Sequence, residues 1–223
     1  MTLLASYPQS GSNAGFDATN VRRLVVSTGA VTTIAARTAT AGHLFVLRRA
    51  NTSTTQLAIH YVGAKFTLTT AYGTAQETGC DLIVARSFTA SYTGATAVDT
   101  GSTVSDTGGL LAAFPASILA TAGLCRVADT GALTAGTQTL DANPIGILSG
   151  WSSAIGDTVP DAASGAREGF GTLFGRQLAE GGNAYPLVLA ADEGIVIRNL
   201  ILMGATGVGR WDFCVEYAEG SPR

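Results

Sequence analysis

An all-β fold, a β-sandwich of jelly-roll type with long loops and little helix, is what this sequence predicts, and three observations predict it. Apolar, β-branched and aromatic residues alternate with a period of two through many short segments. Glycines and small polar residues punctuate those segments at short intervals. Counting the segments gives about ten short strands and one weak helix candidate. The pattern is clearest near the C-terminus. There Ile195, Ile197, Ile201 and Met203 alternate with Val196, Arg198, Leu200 and Leu202. After Gly204, Gly207 and Gly209, the residues Trp211, Phe213, Val215 and Tyr217 share one side, opposite Asp212, Cys214 and Glu216. This reads as an antiparallel hairpin over residues 194–217, the centre of the sandwich, with the preceding chain supplying the other strands.

Taken in order, residues 1–20 form a polar arm with isolated anchors at Leu3, Leu4, Tyr7, Pro8 and Phe16. Its scattered aromatics suggest docking on a neighbouring subunit. Residues 21–26 and 31–36 flank a Ser-Thr-Gly-Ala turn and read as a hairpin. Residues 43–49 form a strand with an almost continuous apolar body. Residues 56–62 alternate, and a further strand, 66–72, follows after Gly63. Residues 81–92 make the longest strand candidate, with Leu82, Val84 and Phe88 on one side. Arg86 shares that side, so one end of it meets solvent or an acidic partner. Residues 93–109 are Thr-, Gly-, Ser- and Asp-rich and read as a long loop. Residues 110–121 suit a short helix interrupted by Pro115. Short strands are expected at 123–127, 137–140, 144–148 and 187–189. Residues 150–184 form a second glycine-rich loop with Trp151, Phe170 and Phe174 as anchors. No boundary divides the chain, so the organisation expected is an arm, 1–20, and one β-sandwich domain, 21–223.

Charged residues make up 13% of the chain, against roughly 25% in an ordinary soluble domain. Thr, Ala, Ser and 28 glycines take their place. Such a surface is weakly hydrated. It suits a protein whose skin ends in subunit contacts, or a Thr-rich β-protein that carries few charges. The net charge of −3, with Arg22–Arg23 and Arg48–Arg49 the sole basic pairs, gives no phosphate-binding stripe, so no nucleic-acid partner is expected. No apolar run approaches the ~18 residues of a membrane span, and no membrane partner is expected. Cys80, Cys125 and Cys214 are odd in number and widely spaced, which argues against a disulfide scaffold and a zinc site and suits a reducing cytosol.

Candidate chemistry is sparse. Asp99, Asp106 and Asp129 each open an Asp-Thr-Gly tripeptide, the loop motif of aspartic proteases. That mechanism needs two such loops on separate lobes or subunits, whereas these three lie within thirty-one residues in a Thr/Gly-rich region. His43 and His60, the only histidines, lack the spacing of a metal-binding β-barrel site. Asp192, Glu193, Asp212 and Glu216 are open to two readings, paired acids for glycoside hydrolysis or acidic guards of a sheet edge. Trp151, Phe170, Phe174 and Tyr185 suit either a sugar-stacking platform or loop anchors. No catalytic, cofactor-binding or metal-binding residue is assigned, no cofactor is expected, and the chain is not read as an enzyme.

Two stretches carry a resemblance. Residues 125–148, CRVADTGALTAGTQTLDANPIGIL, resemble an R-x-A-x-T-x-A-L-T-A-G-T-x-T-L-D-x-x-P-I segment of uncharacterised structural proteins of tailed bacteriophages. Residues 186–219 resemble the P-L-V-L-x-x-x-E-G-I-V-I-R-N strand and the final V-x-x-E-W strand of the same group, with Tyr217 in place of that Trp. The resemblance implies a virion component, assembled in the bacterial host cytoplasm and located in the virion. Its partners would be copies of itself, in a trimer or larger homo-oligomer, and other virion proteins such as the major capsid protein. The expected role is capsid-associated: decoration, cement or minor head protein. The alternative is a tail or fibre module that binds host-surface glycan.

Overall fold

The computed structural model describes residues 21–29, 34–50, 55–98, 104–105, 118–120, 124–129, 131–152, 154–159, 170–175, 186–204 and 206–220. The expected arm, 1–20, lies outside the described residues, as do 31–33, 99–103, 106–117, 160–169 and 176–185. In chain order the strands are β1 (Val21–Ser27), β2 (His43–Arg49), β3 (Gln56–Thr70), β4 (Gln76–Ala90) and β5 (Thr96–Ala97). There follow β6 (Val104–Ser105), β7 (Cys125–Val127), β8 (Thr137–Leu140), β9 (Gly146–Ser152) and β10 (Thr158–Val159). The last four are β11 (Gly171–Gly175), β12 (Leu187–Leu189), β13 (Glu193–Asn199) and β14 (Val208–Gly220). One 3-10 turn, Ile118–Ala120, is the helical element among the described residues, inside the stretch expected to be a short helix.

The strands form two antiparallel sheets, an all-β sandwich as the alternation predicts. Sheet A runs β10-β3-β14-β1-β6, with β11 and β12 also on β3; sheet B runs β5-β7-β2-β13-β4-β8, with β9 also on β4. The first strand pairs with the last and the second with the next to last, and β1 to β4 alternate between the sheets. The inner faces supply the core. Leu24, Phe45, Leu47, Ile59, Val62, Phe66 and Leu82 interdigitate with Ile195, Ile197, Trp211, Phe213, Val215 and Tyr217. The outer face of sheet B carries a second cluster. Val46, Ile83, Ala85, Phe88 and Val196 lie beneath Tyr92, Ala128 and Leu133.

The C-terminal pair is central, but it is not a hairpin. β13 pairs with β2 and β4, whereas β14 pairs with β1 and β3. Each strand is buried on both faces, and a sequence of that kind is stabilised in the middle of a sheet rather than beside its chain neighbour at an edge. The early hairpin is corrected in its described part, residues 31–33 lying outside it. β1 pairs with β14 and β6, while residues 34–36 form no strand, and Ile34 packs on the core. Gly63 does not end a strand. β3 runs through it, and the Tyr61 ring occupies the space a side chain there would fill: a Cβ on Gly63 would stand 2.3 Å from the Tyr61 hydroxyl. In β4, Ser87 has a φ of 49°, which turns Phe88 away from the side of Leu82 and into the outer cluster. Parts of both expected loops are strand: β5 and β6 in 93–109, and the end of β9, β10 and β11 in 150–184.

Candidate functional site

The outer face of sheet B brings ionisable residues of three strands into one row. By register, His43 on β2 lies beside Arg198 on β13, and Arg198 beside Asp81 on β4. Asp81 is fully buried, and Arg198 grips it with two parallel bonds, Nε to Oδ1 at 3.0 Å and Nη2 to Oδ2 at 2.7 Å. Arg37 donates to the same carboxylate from the partly exposed end of the row. His43 is held in a chain of hydrogen bonds: its Nε2 meets the Thr38 carbonyl at 3.2 Å, its Nδ1 meets the Tyr92 hydroxyl, and Gln138 Nε2 donates to that hydroxyl at 2.8 Å. Burial lowers the His43 pKa and raises that of Tyr92, so the row holds a neutral imidazole and a neutral phenol. The partners then fix the tautomer, with Nε2–H donating to Thr38 and Nδ1 accepting from Tyr92. Farther along, Arg48 donates to Asp192 at 2.9 Å, to Ser91 and to the Thr89 carbonyl, and sits over the Phe88 ring. The bonds of His43 and Arg48 to Tyr92, Ser91 and Thr89, and that of Gln138 to Tyr92, tie the chain around Tyr92 to the sheet.

The four acids of the C-terminal strands do not converge. Asp192 pairs with Arg48, and Glu193 with Arg86, both on sheet B. Asp212 lies on the outward side of sheet A, against Ser27 and Arg210. Glu216 also faces outward from sheet A, buried opposite Arg23 and Tyr61 in the register. Arg86 finds its acidic partners in Asp141, at 3.1 Å, and Glu193. Asp129 stands beside Gly29 and within 3.4 Å of the Thr96 hydroxyl, while Asp99 and Asp106 lie outside the described residues. Cys80, Cys125 and Cys214 are buried and form no disulfide, and Cys214, in mid-strand, accepts a bond from Arg23 Nε at 3.3 Å. Among the described residues, no three His, Cys, Asp or Glu side chains gather as a metal site would require.

His60 is buried in β3, and desolvation pushes its pKa from the ordinary 6.5 down to about 4. A base whose folded pKa is depressed stays neutral in the fold while the unfolded chain takes up a proton. Its contribution is therefore complete above pH 6.5 and is lost as pH falls from 6.5 towards 4. The full loss is worth up to about 3 kcal/mol. Urea unfolding between pH 7 and pH 5 is expected to show falling stability, and His60→Gln to flatten that slope, leaving the share due to His43.

Of the four aromatics, Phe174 packs against the core and Phe170 is half-buried, while Tyr185 lies outside the described residues. Trp151 is 72% exposed. It belongs to a row on β9 in which Ile147, at 58%, and Ser149 also point outward, with Ile145 exposed just before the strand. The inward side of β9 is tightly engaged. A Cβ on Gly146 would stand 1.8 Å from the Leu173 carbonyl oxygen, and one on Gly150 would stand 3.2 Å from Val159. Reading residues 144–148 as the strand and 150 onward as loop divided this row. The signal that finds it is the continued alternation Ile147, Ser149, Trp151 against Leu148, Gly150, Ser152. The class these observations define is an all-β sandwich with a polar network under its outer cover and an uncharged apolar row on an edge strand. Compared with known proteins, the chain matches no family model, no curated protein and no solved structure.

Proposed function

We propose that this chain is a structural subunit of a tailed-phage virion, a capsid-associated decoration, cement or minor head protein. It acts by symmetric, multivalent contact with copies of itself, in a trimer or larger assembly, and with other virion proteins such as the major capsid protein. It is assembled in the bacterial host cytoplasm, has no nucleic-acid or membrane partner, and does no chemistry. Many modest contacts repeated on a lattice give firm attachment without any single strong interface. The observation that carries this reading is the outward row Ile147, Ser149, Trp151, on a chain of which 13% is charged. Exposed apolar residues in a row, rather than scattered singly, mark an interaction surface. The residue resemblances at 125–148 and 186–219 support the phage setting. The nested strand order, first with last and second with next to last, supports a jelly-roll connectivity. The Arg partners of Asp81, Asp192, Glu193 and Asp212 support a structural role for those acids.

A second reading, a tail or fibre module for host-surface glycan, is favoured by the exposure of Trp151 alone. Copy number separates the two. Quantitative mass spectrometry of purified particles is expected to find hundreds of copies, as a shell component requires. A dozen or fewer, together with saccharide binding abolished by Trp151→Ala, would replace the shell reading with the fibre reading.

A further inference from the structure

We infer that β9 is a self-pairing edge: two copies of this chain join their sheets B into one continuous sheet by antiparallel pairing of Gly146–Ser152 about a two-fold axis at Ser149. The inference rests on the assembly reading above and names the contact. Among the described residues, β9 is paired on one side only, with β4. The direction of its free groups follows from the register. Leu200 N–H donates to the Gly79 carbonyl, so Gly79 turns its main-chain groups towards β13. Main-chain groups alternate along a strand, so Thr78, Cys80 and Leu82 turn theirs towards β9, where they meet Gly150, Leu148 and Gly146. Ile147, Ser149 and Trp151 therefore direct their N–H and C=O groups away from β4, into the open edge.

Those same residues carry the exposed side chains, and their order is self-complementary. Antiparallel pairing centred on Ser149 sets Ser149 opposite its copy and Ile147 opposite Trp151 of the second copy, twice over by symmetry. All three pairs are of the hydrogen-bonded kind, the kind the free main-chain groups require. Each Ile147–Trp151 contact is a β-branched–aromatic cross-strand pair, one of the favourable ones. An isologous contact of this sort closes on itself and joins two subunits without open-ended growth. Three of the devices that keep edges apart, charge, proline and bulge, are missing from this strand. Residues 142–156 contain no charged side chain, and β9 itself has neither proline nor bulge.

Engineered cysteines read the register directly, because the native thiols are buried. Hydrogen-bonded partners have Cα atoms about 5.5 Å apart, within disulfide reach. Ser149→Cys is expected to form a covalent dimer under mild oxidation. Ile147→Cys and Trp151→Cys are expected to do so only when mixed, since each stands about 13 Å from its own copy. Ser149→Pro removes an outward N–H at an edge position that tolerates proline, and Ile147→Lys places charge on the edge. Each is expected to raise the dissociation constant in sedimentation tenfold or more while leaving the circular dichroism spectrum unchanged. A chain that associates normally, with no crosslink at 149 and no effect of either variant, overturns the β9 contact and leaves the assembly reading standing. A full-length chain that stays monomeric at high concentration and is absent from particles overturns both.

Discussion

Asp81→Ala is expected to destabilise the fold by about 3–5 kcal/mol, the cost of leaving a buried guanidinium without its carboxylate. Asp81 is wholly enclosed and Arg198 nearly so, and each is the other's bidentate partner in the middle of sheet B. Arg37 can swing its half-exposed head into water when the carboxylate goes, whereas Arg198, on a central strand, cannot. The loss therefore falls on Arg198 and on the strand pairing around it, where His43 and its hydrogen-bond chain also sit. Replacing both charges, Asp81→Leu with Arg198→Leu, is expected to recover most of the loss, because well-packed apolar residues commonly match a buried ion pair in stability. Urea unfolding of the two single variants and the double variant gives the cycle. A double variant no more stable than Asp81→Ala would mean that the pair also fixes the cover formed by residues 91–98 and 128–140.

Both charges were visible in the sequence as single ionic residues in apolar strands, Asp81 in GCDLIVA and Arg198 in GIVIRNL. Their pairing was not visible, because it depends on which strands become neighbours. Alternation is a local property. It placed β2 at 43–49, β8 at 137–140 and β12 at 187–189 with the bounds the structure has. Neighbourhood is not local, and the chain between Asn199 and Val208 spans the gap between two sheets as readily as it turns back on one. Gly63 and Ser87 misled in opposite ways. A glycine that leaves room for a neighbouring ring looks like a turn, and a serine in a left-handed conformation looks like an ordinary strand residue. The β9 row was hidden because two glycines and two serines at 146–152 dilute an alternation that only three large residues carry. Nor did the sequence reveal that the acids of the C-terminal strands would be divided between the two sheets, since that division follows from the absence of a hairpin.

Trp211→Ala is expected to cost about 3–5 kcal/mol, as the removal of a fully enclosed ring from a core generally does. Trp211 is wholly buried on β14, with its ring parallel to Phe213 at 6.2 Å and tilted against Phe66 at 5.2 Å. Phe66 lies opposite Trp211 on β3, and a Cβ on Gly209 would stand 2.1 Å from its ring, so neither neighbour can collapse freely into a cavity. Trp211→Phe is expected to cost markedly less. The indole Nε1 has no hydrogen-bond partner among the described residues, and phenylalanine removes that buried donor along with part of the ring. Fluorescence distinguishes the sites, because the other tryptophan, Trp151, is exposed. Wild-type emission is expected to combine a blue-shifted and a red-shifted component, with Trp151→Phe leaving the first and Trp211→Phe the second. If the core governs the fold and the edge governs association, Trp211→Phe should lower the urea midpoint without changing the dimer dissociation constant, and Trp151→Ala should do the reverse. A Trp151→Ala variant that unfolds as early as Trp211→Ala would make the exposed row part of the folding core and remove it as a contact surface.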